Sequence, residues 1–188
     1  MTIIDYKKGG VSGNSIGLRL ENGELRAQCS SISEVLFLNF PSLKVTGLHF
    51  ANCEFAFCEK LDLNQCNLLE CKFREIGEIV ADECEFLRCE FVELYTDINP
   101  LLEIWDTKLR QCRFRNIVVW EETYLCDADP NSRVEECKFE NCRTDRVDLE
   151  LFLCEETTGG LFKRKKQYDI LDTASTDSML EGCELLND

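Results

Sequence analysis

The sequence predicts an all-β chain wound as a parallel β-solenoid, coiling about every 18 residues around a core of Phe, Leu and Cys. Three observations point there. Four consecutive blocks, 25–42, 43–60, 61–78 and 79–96, align without gaps. Within each block the apolar residues fall at the same seven positions, 1, 3, 6, 8, 11, 13 and 16, so that 27 of those 28 positions are apolar against 11 of the other 44. The step between them alternates between two and three residues, which fits an extended chain turning corners and does not keep the 3.6-residue period of a helix.

The first block contributes Leu25, Ala27, Ser30, Ile32, Val35, Phe37 and Phe40. The second contributes Leu43, Val45, Leu48, Phe50, Cys53, Phe55 and Cys58. Leu61, Leu63, Cys66, Leu68, Cys71, Phe73 and Ile76 follow, then Ile79, Ala81, Cys84, Phe86, Cys89, Phe91 and Leu94. Residues two apart share one face of a strand, so Cys53 and Phe55 are expected to point together into a core. A step of three then requires a corner, because in a straight strand an odd step reverses the side chain. Stacked coils lie about 4.8 Å apart, so like residues form ladders. Cys53, Cys71 and Cys89 make one; Phe37, Phe55, Phe73 and Phe91 make another. The 18-residue left-handed hexapeptide coil steps by six, whereas this chain steps by five.

The units Cys53-Glu-Phe55, Cys66-Asn-Leu68, Cys71-Lys-Phe73, Cys84-Glu-Phe86, Cys89-Glu-Phe91 and Cys137-Lys-Phe139 resemble pentapeptide repeats. The resemblance spans residues 25–96 and, in part, 102–144, and implies a single right-handed quadrilateral β-helix, here of about six to seven coils. Each block is two residues shorter than a 20-residue square coil, and Leu61 and Ile79 stand at small-residue positions. A general right-handed β-helix of the pectate-lyase-like kind is the alternative.

One domain over 1–188 is expected, with an N-terminal lead at 1–24, four regular coils at 25–96 and irregular coils with loop insertions at 97–188. Alternating Ile16, Leu18 and Leu20 are expected to pair with or cap the first coil. The motif continues as Leu109-Cys112-Phe114, Val134-Cys137-Phe139 and Leu180-Cys183-Leu185, with insertions near 97–101, 121–133 and 155–177. Beyond residue 119 the pattern alone leaves the register open.

The 13 cysteines are an odd number, and neither a signal peptide nor an apolar run of membrane-spanning length is seen. Reduced thiols packed in the core of a cytoplasmic protein are therefore expected, with no metal and no cofactor. The Cys-x₄-Cys spacing permits zinc, yet the same register positions are filled by Leu, Ile or Phe in other blocks. A lone His49 at an outward position and adjacent carboxylates scattered over an acidic chain do not make a catalytic constellation, and a non-enzyme is expected.

With 36 acidic and 21 basic residues the formal charge is −15, which repels nucleic acid and anionic membranes and suits a basic protein partner. Candidate contact residues are Glu70, Glu75, Glu78, Asp82, Glu85, Glu90 and Glu93, expected to form one acidic wall. Trp105 and Trp120 are candidate aromatic anchors, and Lys163, Arg164, Lys165 and Lys166 a candidate contact loop. The function expected is a protein-binding, immunity- or antitoxin-like inhibitor of a cationic toxin. Two other classes are a DNA mimic that engages a topoisomerase, implied by the resemblance, and a self-assembling β-helix. A small carbohydrate-active enzyme has only the fold in its favour.

Overall fold

The structure is a computed structural model, and the residues it describes are 1–8, 18–21, 24–96, 101–119, 126–129, 131–140, 143–144 and 184–186. They form short parallel strands in three principal sheets, with a single 3₁₀ turn at Tyr6–Lys8 as the only helical element among them.

Sheet A has eight strands in the order Thr2–Asp5 (β1), Val35–Leu38, Glu54–Ala56, Lys72–Arg74, Glu90–Val92, Arg113–Arg115, Lys138–Glu140 and Glu184–Leu186. Sheet B runs Leu18–Glu21, Glu24–Ala27, Leu43–Thr46, Lys60–Asn64, Glu78–Asp82, Leu102–Trp105 and Cys126–Ala128. Sheet C runs Ser31–Ser33, His49–Ala51, Asn67–Leu69, Glu85–Leu87, Lys108–Arg110 and Arg133–Glu135. From Ser31 the chain visits C, A and B in turn, which is the path of a β-helix-like solenoid. A quadrilateral coil would have four comparable faces. Here the fourth is a sheet of three two-residue strands, Tyr95–Thr96, Val118–Val119 and Arg143–Thr144. The earlier coils lack the two extra residues that such a side would need.

The pairing register is the 18-residue repeat itself. Leu43 lies opposite Leu61 and Leu61 opposite Ile79; Phe37 pairs with Phe55, Phe55 with Phe73 and Phe73 with Phe91. All the inward positions read from the four blocks are buried except Ala27, which is partly covered, and Ser30, which is exposed on the first coil. Four neighbouring Phe pairs from Phe37 to Phe114 stack with ring centroids 4.6–5.2 Å apart and planes within 11°. Ile4, at 1% exposure, lies opposite Phe37 and ends the column.

After the 97–101 insertion the same seven-position pattern resumes as Leu102, Ile104, Thr107, Leu109, Cys112, Phe114 and Ile117, every one buried. Phe114, Phe139 and Leu185 then follow Phe91 in register, as the continuing motif implies. Thr107 is the polar member that hid this coil from a search for apolar spacing.

Corners are made by left-handed residues. Glu34, Asn39, Asn52, Phe57, Gln65, Glu70, Glu75, Glu83, Arg88, Glu93, Asp106, Gln111, Asn116 and Glu136 all have φ between 48° and 60°. Each is followed by an inward residue, so the αL step re-aims the chain after an odd spacing. The amides of these corner residues donate to carbonyls one coil further on, as Glu70 does to Leu87 (2.9 Å) and Gln65 to Asp82 (2.8 Å). The corner backbone is thereby satisfied.

The N-terminal lead does more than expected. Leu18–Glu21 pairs antiparallel with Glu24–Ala27, and β1 adds a parallel strand to sheet A, Thr2 lying opposite Val35. Ile16 lies outside the described residues.

Candidate functional site

Cysteine is not only a small apolar residue at these corners. Cys66 Sγ donates to the carbonyl of Asn64 (3.3 Å), and Cys84 Sγ to those of Asp82 (3.2 Å) and Leu63 (3.5 Å). The Cys66 amide in turn donates to Cys84 Sγ (3.3 Å). One coil on, Thr107 Oγ1 takes the same place, accepting from the Cys84 amide (3.0 Å) and donating to the Trp105 carbonyl (2.8 Å). Ser132 Oγ accepts from the Thr107 amide (3.1 Å) in the coil after that. Cys, Thr and Ser interchange because each supplies one donor and one acceptor beside the corner. Burial pushes the Cys58 thiol up to about 11, and the neighbouring Cys71 thiol together with burial holds Cys53 well above the ordinary thiol value. These are structural thiols. Among the described residues no group of three or more His, Cys, Asp or Glu side chains is arranged to hold a metal ion.

The acidic residues do not form one wall. Glu78 and Asp82 are on sheet B, Glu85 on sheet C and Glu90 on sheet A. Glu70, Glu75 and Glu93 are corner residues. Most are neutralised by a cation, usually one coil away. Glu70 pairs with Arg88 (3.2 Å), Glu75 with Arg74 (3.4 Å), Glu78 with Lys60 (2.9 Å), and Glu90 with Arg115 (2.7 Å) and Lys72 (3.9 Å). Glu54 with Arg74, Glu135 with Arg110 and Glu140 with Arg113 continue the scheme on sheets A and C. Sequence reading missed this because the partners are whole coils apart and become neighbours only through the register. Alternating charge along a column favours one register and leaves little net field on that face.

The edge of sheet B that turns toward sheet C is different. Leu102 and Ile104 point inward, at 1% and 0% exposure, so the alternation of the strand sends Glu103 and Trp105 outward. Trp105 is 48% exposed. It lies directly opposite Asp82, while Glu103 lies opposite Val80. The corner residues Glu83 and Asp106 flank it, and the Glu83 amide donates to the Trp105 carbonyl (2.9 Å). Asn64 Nδ2 holds the Asp82 carboxylate at 2.9 Å, and Gln65 Nε2 holds that of Glu83 at 2.8 Å. These amides orient the carboxylates without cancelling their charge. Among the described residues Asp82, Glu83, Glu103 and Asp106 form no ion pair.

The far side of the patch is braced by Asp129. Its carboxylate accepts from the amides of Asp106 (2.9 Å) and Ser132 (3.0 Å) and from Ser132 Oγ (2.5 Å). Against the opposing effect of burial, the bonds from Ser132 and then the amides of Asp106 and Asn131 hold this carboxyl below its usual range. The charge is thus retained.

Of the candidate contact residues, the structure brings Asp82 and Trp105 together and adds Glu83, Glu103 and Asp106. The other described candidates stand on other faces or at the far end of strand Glu78–Asp82. Trp120, Lys163, Arg164, Lys165 and Lys166 lie outside the described residues. His49 is exposed on sheet C, its Nδ1 2.9 Å from Asn67 Nδ2. No helix among the described residues is long and apolar enough to cross a membrane. Comparison with family models, with curated proteins and with solved structures finds no match.

Proposed function

We propose that this chain is a non-catalytic binding protein that engages a cationic protein through the Trp105 face, in the manner of an immunity or antitoxin-like inhibitor. One observation carries the reading. An exposed Trp on a well-ordered strand is surrounded by four carboxylates, Asp82, Glu83, Glu103 and Asp106, that no described cation neutralises. Aromatic anchors supply most of the energy of many interfaces, and uncompensated carboxylates at the rim accelerate encounter with a basic partner. An indole face also attracts Lys and Arg side chains directly.

In this reading the three sheets close around one core as a single right-handed coil of the pentapeptide-repeat kind, one domain working with free thiols in a cytoplasm. Such a body presents a rigid face and loses little entropy on binding. A DNA mimic would need free carboxylates along its length, whereas sheets A and C pair theirs with their own cations.

The test begins with a partner captured from lysate, followed by association kinetics at several salt concentrations. Trp105→Ala is expected to weaken binding by about 30-fold or more, as a hot-spot residue does. Asp82→Asn with Glu103→Gln is expected to slow association and flatten its salt dependence. Reversal of Glu70, Glu85 and Glu90 to Lys is the control on other faces. If that triple variant loses the partner while Trp105→Ala keeps it, the interface lies elsewhere and this reading falls.

A further inference from the structure

The exposed large apolar side chains gather at one end of the molecule. Met1, Ile3, Tyr6 and Phe57 are 73%, 50%, 45% and 41% exposed, and Trp105 is the only other one among the described residues. Met1, Ile3 and Tyr6 belong to or flank β1, the terminal strand of the eight-stranded sheet A. On one side β1 pairs with Val35–Leu38. On its other side no described strand follows.

The backbone of β1 shows what that open side offers. The Thr2 amide donates to the Glu34 carbonyl (3.0 Å), so the amides of Thr2 and Ile4 face the molecule's own sheet. By the alternation of a strand, the N–H and C=O groups of Ile3 and Asp5 face outward from the edge. The Ile3 side chain lies on the outer face of sheet A, opposite Leu36. A free edge of this kind is a template for another strand.

Charge selects the occupant. Residues 1–58 contain five acidic and five basic side chains, so the entire formal charge of −15 rests on residues 59–188. Two copies approaching by their bodies repel one another; approaching by their β1 ends they do not.

We propose that β1 is the contact for a second copy of this chain, the two β1 strands pairing antiparallel about a two-fold axis to join both A sheets into one. Pleating requires residues of like parity to stand opposite each other. The register that also uses the outward-facing amides sets Ile3 against the partner's Ile3, each donating to the other's carbonyl. The outer apolar strip then runs from Leu36 through Ile3 to the partner's Ile3 and Leu36. A two-fold contact closes on itself and stops at two copies. The short edge followed by Lys7 and Lys8 is also a poor site for further growth.

The experiment is sedimentation velocity on the full chain over a concentration series, with circular dichroism to confirm folding. The wild-type chain is expected to sediment as a dimer that persists or strengthens as salt rises. Ile3→Lys should yield a folded monomer. Ile3→Pro removes only an outward-facing amide and should do the same while β1 stays paired within its own sheet. Trp105→Ala, on another sheet, should leave the dimer intact, so this contact and the Trp105 interface fail independently. A wild-type monomer at all concentrations, an open-ended series of larger species, or a dimer unchanged by both Ile3 variants would overturn the proposal.

Discussion

Thr107 carries the corner chemistry of this protein in one side chain. It is fully buried, accepts from the Cys84 amide and donates to the carbonyls of Trp105 (2.8 Å) and Ala81 (3.1 Å). Thr107→Val keeps the shape but strands a buried amide, at a cost of about 1–3 kcal/mol. Thr107→Cys should cost much less, because Cys66 and Cys84 already perform this task one and two coils earlier. Denaturant melts of the two variants check the ranking; equal losses would show that the hydroxyl's bonds contribute nothing. Phe73 is the contrasting case, an apolar residue stacked between Phe55 and Phe91. Phe73→Ala should destabilise by about 3–5 kcal/mol in the same measurement. Both residues teach something about legibility. Phe73 was readable because a ladder of like residues repeats at fixed spacing. Thr107 was not, because hydrogen-bonding equivalence between Thr, Ser and Cys is invisible to a hydropathy pattern. The αL corners were equally hidden: Glu, Gln, Arg and Phe hold most of them, and none of these residue types announces a turn.

The strands are only two to five residues long, and their limits are set where the chain turns rather than by local propensity. Gly77, just before the strand Glu78–Asp82, shows how close successive coils come at one such turn. A Cβ there would stand 2.7 Å from the Glu59 carbonyl oxygen, while the Gly77 amide donates to Cys58 (3.0 Å). Gly77→Ala therefore has to push backbone, not a mobile side chain, and should cost about 1–3 kcal/mol. Thermal melts would measure it, and a neutral result would mean that the neighbouring coil yields. At this scale the four regular coils were legible in full, but β1 was not. Thr2–Asp5 belongs to no repeat, and four residues without a partner pattern carry too little periodicity to identify a strand. The candidate site was half legible for a related reason. Trp105 and Asp82 are 23 residues apart, and only the register across the 97–101 insertion makes them neighbours.

Taken whole, the molecule keeps its thiols away from solvent. Of the ten cysteines among the described residues, Cys29 alone is exposed and the other nine are buried. A thiol reagent applied to the native protein should modify Cys29 ahead of those nine, and after denaturation all 13 cysteines of the chain should react. Peptide mapping after brief labelling decides this. Early modification of Cys53, Cys71 or Cys89 would mean that the core opens readily.

The 18-residue register has a consequence for how the length of such a chain can change. Removing residues 61–78 joins Lys60 to Ile79. Ile79 and Ala81 then stand where Leu61 and Leu63 stood, Phe91 stacks on Phe55, and Cys89 follows Cys53. What is lost is one interface between neighbouring coils and the ion pairs that crossed it, including Lys44 with Asp62 and Arg74 with Glu54. In a molecule whose units touch mainly their neighbours, such a deletion subtracts stability in proportion to what is removed. The shortened chain should fold, with a lower melting temperature and the same strand-rich circular dichroism. Removing Leu61 alone should be far more damaging, because it puts the parity of that strand out of phase with the strands on either side. Size in this protein is therefore quantised: whole turns can be gained or shed by duplication or excision, whereas single-residue insertions and deletions belong at the wide joints near 97–101 and 121–133.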